Sequence, residues 1–477
     1  PAGTPKVLAR CPGAASEEEL RQGAKEPWTM CRMPRRPAGG AAHSVEAAAW
    51  LAAAAACGAA TLAAALDNGV GRRPPMGYNT WNHLRCENVT ADNIRRVADT
   101  LVDSGLAKVG YEYVNIDDCW QAPFGLGWGT LHGRHWLSRQ LAPDPKAFPE
   151  GIKVVADYVH ARGLKFGLYT DRGFGTCAGR PGTNEGFEEL DAQTFAAWGV
   201  DYLKVDSCNA PEYGQEALDA FVRMRDALNA TGRPILFSIC GWHEWYATLG
   251  GRALGNAWRT TYDVNFWQDV WLTASINSQF AEFAGPGGWN DPDMLLGSSF
   301  GTSVRMEPEQ VRTQFTLWSV MAAPLLLGAN VLQLGAEDLE IFTNEEVIAV
   351  DQDPLGVQGR LVWQDPPSAL PCGAVAGCVQ LWAKPVEGAS IAVAAVNWYA
   401  HEATLTIDAE VLRPALEHSE FSDVVVPGGR FRLRDLWARL DLGEEPSFSV
   451  SVGGAGGCRM FRLSAPRSPR RAAIQRE

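Results

Sequence analysis

From Gly77 onward, short apolar runs alternate with stretches whose apolar residues recur every three or four positions. The runs predict strands at residues 111–116, 164–169, 200–205, 234–239 and 257–261, with further ones near Trp289 and at 324–327. Between them the spacing predicts helices at 93–104, 151–162, 191–198 and 215–229. In the last of these, Ala217, Phe221, Met224 and Leu228 share one face. Strand and helix repeated in this way over roughly 280 residues indicate a parallel α/β fold. The repeat count, together with the lack of a glycine-rich nucleotide fingerprint, favours a (β/α)8 barrel. After Asp351-Gln-Asp-Pro354 the pattern changes to alternating strands at 379–382, 391–398, 403–407, 431–436 and 448–452, punctuated by Gly and Pro. These predict a C-terminal antiparallel β-sandwich domain. The expected organisation is a leader at 1–65, a barrel at 66–355, a sandwich at 356–466 and a basic tail at 467–477.

The candidate chemistry lies where the predicted barrel strands end, because catalytic residues of such barrels sit at the C-terminal ends of strands. In Tyr202-Leu-Lys-Val-Asp206, alternation turns Tyr202, Lys204 and Asp206 to one side and Leu203 and Val205 to the other. Charged groups on one face of an apolar strand are costly to bury unless paired or used. The other strands end at Asn79 and Trp81, at Asp117 and Asp118, at Tyr169 and Asp171, at Cys240 and Trp242, at Arg259 and Asp263, and at Asp291 and Asp293. This ring holds carboxylates, cations and aromatic faces. It has no Ser in a nucleophile elbow and no His placed as a triad base. Two carboxylates in a polar, aromatic ring suit glycoside hydrolysis, one attacking the anomeric carbon and one protonating the leaving oxygen. Read singly, Cys240 is a small packed residue rather than a nucleophile, and His135 and His243 are surface loop residues.

Composition narrows the setting. The net charge of −13 argues against nucleic acid or an anionic membrane as partner. Met33-Pro-Arg-Arg36, an Ala-rich uncharged stretch at 47–65 and Ala63-Ala-Ala65 read as a secretory signal with its cleavage site. Eight of the eleven Cys follow residue 65, which invites disulfides in a secreted chain. Asn88-Val-Thr90 and Asn229-Ala-Thr231 are acceptor patterns for N-glycosylation. No His/Cys cluster has zinc spacing, so neither metal nor cofactor is expected.

Several ordered strings carry a resemblance: Pro75-Met-Gly-Tyr-Asn-Thr-Trp-Asn82, Tyr113-Val-Asn-Ile-Asp-Asp-Cys-Trp120, Lys165-Phe-Gly-Leu-Tyr169, Thr176-Cys-Ala-Gly179, Trp198 to Asp206, and Gly285 to Met294. Over roughly residues 66–360 the chain resembles the retaining α-galactosidases of the melibiase type, which include the related α-N-acetylgalactosaminidases. The resemblance implies release of terminal α-galactose from oligosaccharides, galactolipids or glycoconjugates by double displacement. It implies Asp206 as nucleophile and Asp263 as acid/base. Trp81, Asp117, Asp118, Tyr169 and Lys204 would line the sugar subsite. Arg259 and Asp293 would lie on the 2- and 3-hydroxyl side, with Cys240 and Trp242 beside them. Disulfides Cys86–Cys119 and Cys177–Cys208 are implied, as is a secreted or vacuolar/lysosomal location. The oligomeric state stays open between monomer and homodimer.

Gly241 stands where plant and lysosomal relatives carry Glu, and is expected to leave room beside the sugar's 2-substituent. An α-N-acetylgalactosaminidase and a β-L-arabinopyranosidase are therefore alternatives, and a catalytically silent galactose-binding protein is a separate one. A further one, a Schiff-base lysine at Lys204, requires an ammonium with a depressed pKa, which neighbouring carboxylates oppose.

Overall fold

The alternation in Tyr202–Asp206 is realised in three dimensions and sets the architecture. Tyr202 meets Tyr113, Leu236, Met294 and Leu326 in a small inner cluster. Leu203 and Val205 instead face outward, into the larger core that includes the helical residues Phe195, Phe221 and Met224. Only a closed sheet brings side chains from such distant strands together inside. The computed structural model describes residues 66–127, 130–211, 215–243, 245–299, 305–367, 372, 377–413 and 430–466. The expected leader and basic tail lie outside them.

Eight strands form the barrel: β1 (Met76–Asn79), β2 (Tyr113–Asn115), β3 (Lys165–Asp171), β4 (Tyr202–Asp206), β5 (Leu236–Ile239), β6 (Ala257–Arg259), β7 (Trp289–Asp291) and β8 (Leu325–Leu327). Their order is β7-β6-β5-β4-β3-β2-β1-β8, and neighbouring strands pair in parallel. Leu295, just beyond β7, closes the circle. Its N–H donates to Leu326 O (2.8 Å), and Gly328 N–H donates to its carbonyl (2.9 Å). Register then sets the chemistry, pairing Tyr169 with Lys204 and Asp171 with Asp206. β4 starts two residues later than the apolar run suggests, because Gly199, at φ +85°, ends the helix Glu188–Trp198 in the left-handed conformation that glycine adopts without strain.

The C-terminal part is an antiparallel β-sandwich. Its strands are β9 (Arg360–Asp365), β10 (Val379–Val386), β11 (Ser390–Asn397), β12 (Ala403–Asp408), β13 (Phe431–Asp435), β14 (Leu440–Glu445), β15 (Ser447–Val452) and β16 (Gly457–Ser464). Six of them pair in the order β9-β10-β11-β16-β13-β14, and β12 pairs with β15. One face of the large sheet packs Leu381, Ile391, Val393 and Phe461 against Leu405, Ile407 and Val450. The opposite face sends Trp382, Ala394 and Met460 into the barrel's core. β10 and β11 are therefore buried along their whole length.

The helix Pro308–Val320 fills the space between barrel and sheet. Val311 and every residue from Thr313 to Val320 are buried, so beyond Arg312 the helix turns no face to solvent and leaves no amphipathic signal in the sequence. Its Thr316 hydroxyl accepts a bond from Trp437 Nε1 (3.0 Å) across the junction. Nearby, Lys384 on β10 donates from Nζ to Val350 O (2.7 Å). Burial lowers the Lys384 pKa to about 8, against the pull of Asp351 and Asp353. Among the described residues, no helix is long and apolar enough to cross a membrane.

Candidate active site

The ends of the barrel strands enclose a cavity of about 390 Å³. Trp81, Asp117, Asp118, Tyr169, Lys204, Asp206, Trp242 and Asp263 line it. Cys240, Arg259 and Asp293 do not; they are buried behind it. Tyr262 and Asn265 line the cavity and escaped the sequence reading. Tyr262 directly precedes Asp263, and its 67 % exposure puts it at the mouth.

Lys204 organises one side. Its Nζ donates to Asp117 Oδ2 (2.8 Å), and Asn79 Nδ2 donates to the same oxygen (2.9 Å). Burial opposes the Lys204 charge, but Asp117, Cys240, Asp206 and Asp263 outweigh it and hold the pKa well above the ordinary lysine range. An ammonium so held is no Schiff-base nucleophile. Asp118 accepts from Thr176 Oγ1 (2.8 Å), Ala178 N (2.9 Å) and Cys119 N (2.7 Å). Burial still raises its pKa.

Asp206 sits deep, with only 5 % of its surface exposed. Tyr169 Oη donates to its Oδ2 (3.1 Å) and Ser207 N to its Oδ1 (3.0 Å). Burial pushes its carboxyl up to about 6; Lys204 opposes this, while Asp263 and Asp117 reinforce it. Asp171, beside it on β3, accepts from Gly173 N (2.6 Å) and Cys208 N (2.8 Å), and burial and Asp206 raise its pKa strongly.

Arg259 organises the other side. It pairs with Asp293 Oδ1 (3.0 Å), both side chains 3 % exposed, and with Asp263 Oδ1 (3.2 Å). Its Nη1 also approaches Cys240 Sγ at 3.7 Å. Asp293 adopts φ +80°, a rare conformation for a non-glycine residue, and Val264 N (2.7 Å) holds its Oδ2. Burial lifts its carboxyl to about 7 despite Arg259. Asp263 differs in keeping 44 % of its side chain exposed. Burial raises its pKa, but Arg259, Lys204 and Arg85 prevail and hold it below the ordinary carboxylate value.

The disulfide Cys177–Cys208 forms part of the cavity wall, and Cys86–Cys119 closes a second loop. A third bond joins Cys372 and Cys378. Ligand atoms of Asp171, Asp206, Cys177 and Cys208 lie within 4.8 Å of one another, but both sulfurs belong to the disulfide and offer no thiolate to a metal.

The family model described as alpha galactosidase A matches residues 73–353. The chain belongs to this family. The model of its C-terminal β-sandwich domain matches residues 376–463. Alpha-galactosidase 3 of Arabidopsis thaliana is 42 % identical over 402 residues, covering 84 % of this chain and 83 % of that protein. The alpha-N-acetylgalactosaminidase of Gallus gallus is 42 % identical over 323 residues, covering 62 % of this chain and 74 % of that protein. The structure of alpha-galactosidase I from Mortierella vinacea aligns with TM-score 0.72 at 30 % identity, covering 84 % of this chain and 100 % of that one.

Two expectations for this family member need correction. Gly241 does not leave room: a Cβ there would lie 2.0 Å from Tyr246 Cε2. The Tyr246 ring fills that space, stacked on Trp245 (4.0 Å between centroids) and edge-on to Phe221 (5.4 Å). His243 is not a surface residue either. It is 7 % exposed, stacked on Trp245 at 6.0 Å and edge-on to Tyr262 at 6.1 Å. His135 is exposed as expected. Gly241→Ala should therefore displace the Tyr246 ring and destabilise the protein by about 1–3 kcal/mol, seen as a lower Tm. An unchanged Tm would mean that the ring yields freely.

Proposed function

We propose that the chain is a retaining α-galactosidase in which Asp206 is the nucleophile and Asp263 the acid/base. The placement of the two carboxylates in one cavity carries this reading. Asp206 is deep and fixed by Tyr169 and Ser207, as a group attacking one defined atom needs to be. Asp263 stands toward the mouth with 44 % of its side chain open, within reach of leaving groups and water. Asp206 attacks the anomeric carbon while Asp263 gives its proton to the departing oxygen, leaving a galactosyl ester. Water then attacks that carbon, Asp263 takes its proton, and the Asp206 carboxylate is released. Asp117 and Asp118 would hold the 4- and 6-hydroxyls of the sugar and Lys204 the 3- and 4-hydroxyls, with Arg259 and Asp293 shaping the wall toward the 2- and 3-hydroxyls.

The protonation states follow from coupling. Chemistry needs the proton on Asp263 and the charge on Asp206, whereas in the open site the fields favour the reverse. A sugar that displaces water from Asp263 raises that pKa and leaves Asp206 facing Lys204. Between the two apparent pKa values the pair holds one proton, so the competent form has its largest share there. The profile of kcat/KM should be a bell with an acidic optimum, its alkaline limb falling near pH 6. A flat profile from pH 5 to 9 would contradict the dyad.

The direct test compares p-nitrophenyl α-galactoside, α-N-acetylgalactosaminide and β-L-arabinopyranoside. The galactoside should be the preferred substrate, and Asp206→Asn should lower kcat by at least about a thousandfold. Retained turnover would refute the nucleophile, and preference for another sugar would move the assignment to that specificity. We also assign the chain to the secretory route, toward secretion or the vacuole or lysosome. Three disulfides and the exposed acceptor residues Asn88 and Asn229 support this.

A further inference from the structure

A second cavity, of about 260 Å³, shares a wall with the first. The segment from Gly173 to Asn184 separates them, with Cys177 facing the Asp206 cavity and Phe174 and Asn184 facing the other. Aromatic rings dominate this second lining. Phe124 and Phe174 stack at 4.9 Å with an interplanar angle of 16°, and Phe174 and Trp136 are 58 % and 63 % exposed. Apolar rings left in water beside a catalytic cavity mark a surface made to be covered.

The cavity is built rather than incidental. Arg134 is buried and holds both oxygens of Asp191 (2.8 and 2.7 Å), while its guanidinium covers the Phe187 ring at 3.9 Å. Arg139 covers the same ring at 4.7 Å. Arg180 Nη1 donates to Gln121 O (3.1 Å), tying the loop after β2 to the loop after β3. A Cβ on Gly133 would meet Pro181 Cγ at 2.0 Å, so the Pro181 ring of one loop packs directly on the backbone of the other. The rings are thus presented by a rigid frame.

The lining chooses among occupants. A lipid chain calls for a continuous apolar trench, but Arg139, His132 and Asn184 interrupt this one. A phosphate calls for an arginine fork turned toward it, but Arg134 is taken by Asp191 and Arg139 lies over the Phe187 ring. A pyranose presents an apolar C–H face and a rim of hydroxyls, which matches rings edged with polar groups. The volume is below the roughly 300 Å³ at which drug-sized sites begin, which suits one sugar ring.

We propose that this cavity is an aglycone subsite, holding a sugar of a neutral oligosaccharide whose terminal α-galactose occupies the Asp206 cavity. The proposal rests on the α-galactosidase reading and names its substrate class. Trp136→Ala and Phe174→Ala remove rings that are mostly exposed, so folding should persist. In the full chain, each should lower kcat/KM for α-galactosyl-mannotriose roughly five- to tenfold through KM. Each should leave p-nitrophenyl α-galactoside, which has no aglycone sugar, within about twofold of the parent. Equal effects on both substrates, or no effect on either, would overturn the subsite. So would a loss confined to an α-galactosyl lipid presented in micelles. Titration of Asp206→Asn with mannotriose, followed by NMR, decides the matter without turnover: binding should be measurable and should disappear when Trp136→Ala is added. Absence of binding would overturn the proposal. Absence of hydrolysis in the parent, with mannotriose binding intact, would sink the α-galactosidase reading alone.

Discussion

The structure depends on how a barrel tolerates so many carboxylates at the ends of its strands. Asp117, Asp118, Asp171, Asp206, Asp291 and Asp293 are all buried, and two cations, Lys204 and Arg259, stand among them. A buried charge without partners is prohibitively unfavourable. Two remedies are visible. Asp118, Asp171 and Asp206 accept main-chain N–H bonds at turns that follow the strands. Where such bonds do not suffice, the pKa rises and the group tends to keep its proton, as at Asp171, Asp206 and Asp293.

This same constraint makes the site reactive. A cavity with more carboxylates than cations has little use for an anionic ligand, and its many acceptors and fixed donors match a neutral polyol. The proton shared by Asp206 and Asp263 is a product of crowding. Under the proposed mechanism, their unequal burial decides which carboxylate meets the sugar ring and which meets water. Backbone conformations rare for side-chain-bearing residues gather here too, at Cys119 (φ +78°), Trp242 (φ +58°) and Asp293 (φ +80°). They persist because the surrounding frame over-determines them.

Much of this was legible in the chain because strand periodicity is rigid. Once Tyr202–Asp206 is a strand, alternation alone puts Lys204 and Asp206 on the inner side. The family strings then placed most residues that line the cavity. Features that depend on contacts between distant segments were not legible. The helix Pro308–Val320 has no solvent-exposed face beyond Arg312 because it is packed between two layers. β16 (Gly457–Ser464) pairs with two strands yet has no simple alternation. Arg259 and Asp293, expected beside the sugar, lie buried behind the cavity wall. The role of Gly241 lies in the Tyr246 ring that occupies its side-chain space, and nothing in the local sequence shows that ring's path. The second, aromatic cavity is likewise a product of two loops meeting.

The central claim is that Asp206 is held in an environment that penalises its charge for the sake of reaction. Thermal unfolding of the full chain and of Asp206→Asn, followed across pH, tests it most directly. A carboxyl raised from 3.8 to about 6 by folding stabilises the protein only while protonated, so that contribution is lost as pH rises from about 4 through 6. Asp206→Asn cannot ionise and should escape this loss. The variant should melt near the parent at pH 4 and higher above pH 6, by an amount equivalent to roughly 2–3 kcal/mol. A variant that melts lower than the parent at pH 7, or a difference independent of pH, would contradict the account.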